Sequence, residues 1–275
     1  MSLFDTYVAV DWSASGVPKT GKDSIWICAS GSRPVNPATR DAATAIVRDL
    51  LVRESQAGRR VLIGFDFPYS YPAGFADLVA PGAEPAWRRV WSLLARLVKD
   101  DGRNASNRFA VAASLNRALG GQGPFWGCPR TKLKSGLTST RPFVFPNHGL
   151  AEIRSVDSRT PCVQSVWKLF GAGSVGSQTL VGIPRVLSLR DDDVLAGVSR
   201  VWPFETGWAV PDAQVVHVEI WPGLVTPVAH AIRDAGQVAG VVKHWQALDR
   251  RGKLGRLFAP VGANSAGLEE GWILG

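Results

Sequence analysis

Apolar positions along the chain follow two periods. Residues 6–11, 60–66 and 215–220 are short, nearly unbroken runs of β-branched, aliphatic and aromatic side chains. Runs apolar at every position predict strands buried on both faces of a largely parallel sheet. Residues 24–28 predict a further strand, and the polar, Ser/Gly/Pro/Lys-rich stretch 12–23 between it and the first makes the two a hairpin. From residue 38 to about 56, Ala42, Ala45, Ile46, Leu50 and Val52 recur at helical spacing; Asn36-Pro37 marks the start and Gly58 the stop. Helical patterns also cover 85–99, 106–119, most of 151–193 and a long segment 226–248. The Gly/Pro-dense region 120–149 predicts a loop with one short strand at 142–145. No internal repeat or low-complexity linker divides the chain. The expectation is one α/β domain over residues 1–275: a mixed sheet of hairpin plus parallel strands, flanked by helices, with a helical and loop insertion at about 75–210.

Composition narrows the class. Forty-five per cent of the 275 residues are hydrophobic, enough for a large core and against disorder. The longest apolar runs, such as Val61-Leu62-Ile63-Gly64-Phe65, are too short to cross a bilayer, so no membrane association is expected. The first residues lack a basic segment followed by an apolar one, and Cys28, Cys128 and Cys162 are odd in number and widely spaced. Both observations fit a reducing compartment, with the cytoplasm as the expected location. The formal charge of +8 attracts polyanions, which makes nucleic acid, DNA or RNA, the natural partner.

Against that charge the acids stand out by position. Asp11 ends the first strand and Asp66 the strand after the crossover helix. If the two strands are parallel neighbours, both carboxylates lie at the same C-terminal edge, where ligand sites of open α/β sheets gather. Carboxylates so placed repel one another unless they share a proton or a cation, and hard oxygen donors suit Mg²⁺ or Mn²⁺. Glu219 ends a third such strand, and Asp234 falls early in the last long helix. Singly, each of these acids could do no more than cap the turn or helix that follows.

Val8-Ala9-Val10-Asp11, Ile63-Gly64-Phe65-Asp66-Phe67-Pro68 and Val218-Glu219-Ile220-Trp221-Pro222 resemble the strand-end motifs of the predicted ribonuclease H-like nucleases of the DUF429 family. The resemblance implies a ribonuclease H-like fold and a metal-dependent nuclease that hydrolyses phosphodiesters at a two-metal carboxylate site. It implies that Asp11 bridges the ions, Asp66 and Glu219 hold one each, and Asp234 completes the set, with Glu269 and Glu270 as rivals for the fourth place. Lys22 is a candidate to steady the phosphate.

Other motifs carry weaker signals. Gly171-Ala172-Gly173-Ser174-Val175-Gly176 matches G-x-G-x-x-G literally but lacks a clear preceding strand. The expectation is a helix C-cap with a close backbone approach, outside any mononucleotide pocket. Ser174 with His217 or His244 would need the rest of a hydrolase elbow. Trp126, next to Phe125 and among Arg130, Lys132, Lys134 and Arg141, has the aromatic-plus-cation character that grips single strands, or is part of a solvated loop. Two other classes compete with the nuclease. Asp11-Trp12-Ser13-Ala14-Ser15-Gly16 also resembles the phosphate hairpin of actin-like and hexokinase-like phosphotransferases, although only one set of strand-end acids is present. A non-catalytic nucleic-acid-binding or scaffold protein would keep the fold alone.

Overall fold

The structure, a computed structural model, describes residues 2–160 and 163–275. β1 (Thr6–Asp11) and β2 (Trp26–Ala29) pair antiparallel, and α1 (Arg40–Gln56) leads on to β3 (Val61–Phe65), parallel to β1. β4 (Ser199–Val201) and β5 (Val215–Glu219) complete a five-stranded sheet of order β2-β1-β3-β5-β4 in which β2 alone runs antiparallel. The expected α/β class and mixed sheet, compatible with a ribonuclease H-like fold, are therefore present. Among the described residues no helix is long and apolar enough to cross a membrane.

Strand alternation sorts the core into two layers. Val8, Val10, Val61, Ile63, Phe65 and Val215 pack with α1, α3 (Ala86–Leu97), α4 (Arg108–Ala118) and α5 (Gly176–Arg190). Tyr7, Ala9, Leu62, Val216 and Val218 pack instead with α6 (Arg233–Arg250). The sheet is thus covered on both faces, which is why its parallel strands read as unbroken apolar runs. Each fully buried Val, Leu or Ile adds about 1.5–3 kcal/mol through removal from water. In α1 the Thr39 hydroxyl accepts from Ala42 N at 3.2 Å, and Ala43, Val47 and Leu51 line up at four-residue spacing on the sheet. Gly64 has a specific use: a Cβ there would meet Ile220 Cγ2 at 2.4 Å and the Trp245 ring at 2.8 Å. Its absence lets α6 lie close on β3.

Several expected elements differ. The last long helix begins at Arg233, not at residue 226. Thr226 precedes Pro227 and is biased away from helix. The segment instead runs along α6, with Thr226 O and Val228 O close against Gly240 and Gly236. Residues 142–145 form no strand, since prolines at 142 and 146 remove ladder donors. Among the described residues of 151–193, helix is confined to the 3₁₀ turn Asp157–Arg159 and α5, and before α5 the chain is broken by Gly171 and Gly173, whose φ values are positive at 101° and 69°. Short helices α2 (Phe75–Val79) and α7 (Gly267–Glu270) escaped the periodicity. Cys28 and Cys128 are buried free thiols, and Cys162 lies outside the described residues.

Candidate active site

Asp11 closes β1, and Asp66 follows the last residue of β3. Asp66 N donates to Val10 O at 2.9 Å, carrying the parallel ladder one residue past the strand and setting the two acids side by side. Alternation puts both on the α6 face, after Tyr7 and Ala9 in one strand and Leu62 and Gly64 in the other. Asp234 joins them from the first turn of α6, where its Oδ2 accepts from Asp23 N at 2.7 Å. Both strand-end acids are half-buried, and among the described residues neither Asp11 nor Asp66 has a hydrogen-bond donor or a cation as partner. Burial, then Asp66, Asp234 and Asp23, push the Asp11 carboxyl well above its usual range. Burial, then Glu219 and Asp234, raise Asp66 to about 7.

Glu219 is arranged differently. It sits in register with Phe65, one step short of Asp66, and alternation turns it with His217 toward the opposite face of the sheet. There Arg154 takes both carboxylate oxygens, Nη2 to Oε1 at 2.6 Å and Nη1 to Oε2 at 2.7 Å, and Tyr69 N donates to Oε2 at 2.9 Å. Arg154 also holds Asp157, at 2.9 and 3.0 Å, and Glu270 O at 3.1 Å. Burial works against its charge, but Asp157 and Glu219 more than offset this and raise its pKa far above normal. Glu219 thus belongs to a buried ion-pair network next to the acidic pair. Glu270 and Glu269 are also engaged: Glu270 accepts from Ala73 N and Ser155 N at 2.9 and 2.7 Å, and Glu269 from Gly74 N at 2.8 Å.

Among the described residues no three His, Cys, Asp or Glu side chains are arranged as a metal-holding group. The donor chemistry still differs among the four sequence candidates. Asp11 and Asp66, adjacent and uncompensated, fit a divalent cation, and Asp234 keeps Oδ1 free beside them. Glu219 does not fit, because its oxygens are committed to Arg154.

The acids open onto a cleft of two adjoining hollows that share Ser174 and Gln178. One, of about 720 Å³, is lined by Asp11, Asp234, Ser13, Lys19, Arg108 and Ser177 among others. The other, of about 430 Å³, holds Asp66, Glu219 and Arg154 against apolar walls such as Ile220 and Trp221. Gly171 and Ser174 line this cleft and Gly176 opens α5, so the glycine turn starts a helix beside the acids instead of capping one. Lys22 is exposed and lines neither hollow, whereas Lys19 does. His217 is buried in the core and His244 is exposed on α6, so neither serves Ser174. Trp126 is half-buried under Lys168, 5.9 Å from Nζ to the ring centroid, and lines a separate hollow of about 300 Å³ with Arg141. Arg130, Lys132 and Lys134 stay exposed nearby.

Periodicity missed Arg154, Arg108 and Gln178, since each lies in the insertion where no strand end marks it. The glycine run before α5 was the one available pointer. No protein-family model, curated protein or solved structure matches the chain.

Proposed function

We propose that the chain is a metal-dependent phosphodiesterase acting on nucleic acid, a nuclease of the ribonuclease H-like, DUF429 type that its strand-end motifs resemble. The observation that carries this reading is the Asp11–Asp66 pair: two adjacent carboxylates with no cationic partner among the described residues, at the carboxyl edge of parallel strands, opening on a cleft in a chain of charge +8. Asp11 and Asp66 would hold Mg²⁺ or Mn²⁺, with Asp234 beside them. A divalent ion there would supply Lewis acidity toward a phosphoryl oxygen and would lower the pKa of water enough for it to serve as the nucleophile. Arg154 holds Glu219 away from the ion, and the hydrogen bond from Asp23 N fixes the Asp234 carboxylate. The net positive charge draws the polyanion in.

The test is cleavage of single-stranded, duplex and branched DNA and RNA with Mn²⁺ or Mg²⁺ at low salt, where phosphate contacts are strongest. Wild type should cut at least one substrate. Asp11→Asn keeps the shape but loses the anionic oxygen, and should reduce the rate to a small residue without loss of fold. Inertness on every substrate, with a melting temperature indifferent to both metals, would overturn the reading in favour of a scaffold.

A further inference from the structure

The hollow lined by Asp11 and Asp234 is also lined by Arg108, Ser177 and Gln178, some of whose donors meet no acceptor among the described residues. α5 has fifteen residues, and its first turn carries no side-chain cap. Gly176 N is spent on Lys168 O at 3.0 Å, but the amides of Ser177 and Gln178 meet no acceptor among the described residues. Such amides, with the helix dipole behind them, favour an anion.

Arg108 is the independent second observation. It lines the same hollow and is only 9% exposed. Nε donates to Ser177 Oγ at 3.0 Å and Nη1 to Ser106 Oγ at 2.9 Å, which aims the guanidinium at the α5 terminus. Nη2 has no acceptor and no carboxylate pairs with the group among the described residues. Asp100, whose charge acts on Arg108, is committed to Arg40 at 2.7 Å and Arg185 at 3.0 Å. A cation nine-tenths buried without a counter-ion is costly, and a ligand anion would relieve the cost.

We propose that Arg108 and the free amides of Ser177 and Gln178 form a phosphate-binding subsite in the hollow that Asp11 and Asp234 also line. Donors converging from a guanidinium and a helix turn suit a tetrahedral anion with several acceptor oxygens. Asp11 and Asp234 line the same hollow and repel any anion there, a repulsion that the guanidinium and the two amides must offset when no metal is bound. The subsite deepens the phosphodiester reading and rests on it for its substrate, but capture of the anion needs no metal.

The test is therefore run in EDTA. Inorganic phosphate, a 5′-phosphorylated mononucleotide and a single-stranded oligonucleotide are each titrated into the full chain, followed by amide NMR and calorimetry. The amides of Ser177 and Gln178 should shift on saturable binding of at least one probe, and the tightest probe distinguishes a nucleic-acid backbone from a small phosphate ester. Arg108→Gln should weaken that binding roughly tenfold or more, and Arg108→Lys, which keeps the charge but loses the fork, by less. No shift at either amide with any probe overturns the subsite, as do folded Arg108→Gln and Arg108→Lys proteins that bind like wild type. If Arg108→Gln fails to fold, the Lys variant and the wild-type amide shifts decide. Asp11→Asn separates the two readings: it should bind phosphate as well as wild type does, or better. Phosphate capture by a wild type that cuts nothing would sink the nuclease reading alone.

Discussion

Arg154 holds Glu219 by both carboxylate oxygens, at 2.6 and 2.7 Å, and neither residue is more than 2% exposed. One guanidinium thereby pairs with both Glu219 and Asp157, and removing it leaves two buried acids with no cation among the described residues. Arg154→Met should lower unfolding stability by about 3–5 kcal/mol in urea titrations. A loss under about 1 kcal/mol, the scale of an exposed pair, would contradict the buried network.

The Asp11–Asp66 pair should be visible in the pH dependence of stability. The folded pKa of Asp66, about 7, lies above its ordinary 3.8. Its contribution is then fully present below about pH 4, declines as pH rises toward 7, and is absent above that. In EDTA at about pH 8, Asp66→Asn should melt higher than wild type, while at about pH 4 the two should coincide. Added Mn²⁺ at the higher pH should raise the melting temperature of wild type and not that of the variant. A variant that melts lower than wild type at high pH without metal would show that the carboxylate is already compensated.

His217 gives the opposite slope. It is fully buried on β5 with neither ring nitrogen partnered among the described residues, and burial, helped by Arg190, lowers its pKa to about 3 from 6.5. Its contribution is intact above pH 6.5 and is lost as pH falls toward 3, because the unfolded chain takes up the proton first. The stability difference between His217→Leu and wild type should be flat above neutrality. Below about pH 6 it should move in favour of the variant by up to about 1.4 kcal/mol per pH unit. A difference independent of pH across that window would show that His217 finds a proton partner in the fold.

Gly64→Ala tests how α6 is seated. The added methyl has no room against Ile220 and Trp245, so α6 must shift or Trp245 must leave its rotamer. The expected cost is about 1–3 kcal/mol of stability. Displacing α6 also displaces Asp234, so the melting response to Mn²⁺ should shrink. A variant as stable and as metal-responsive as wild type would show that the contact is loose.

β1, β3 and β5 were legible because burial on both faces leaves an apolar signature independent of context, as in Val61–Phe65 and Val215–Glu219, whereas β4, three residues long within the insertion, left no such run. Asp11 and Asp66 were legible for the same reason, since each follows such a run on neighbouring parallel strands. Glu219 ends an equally clear run, but pattern alone does not report the one-residue register offset that turns it to the other face. Its partner, Arg154, lies 65 positions away in a segment with no periodic signal. The insertion was least legible because its folding rests on glycine conformations and on side-chain-to-backbone bonds. One example is Asn116, whose side-chain amide donates from Nδ2 to Phe125 O at 2.8 Å and accepts at Oδ1 from Phe125 N at 3.0 Å.

Arg40 is fully buried at the start of α1, and its guanidinium binds Ser13 O and Ser15 O at 3.0 and 2.8 Å, Asn104 O at 2.8 Å, and Asp100. Ser13 and Ser15 belong to the β1–β2 connection that walls the larger hollow. That connection looks like a free surface loop in composition, yet it is anchored to the interior before any ligand arrives. Little conformational entropy remains there to be lost on association. On the proposed reading, capture of a phosphate-bearing chain on this side of the cleft would be a rigid encounter, its rate governed by diffusion and charge and not by loop closure.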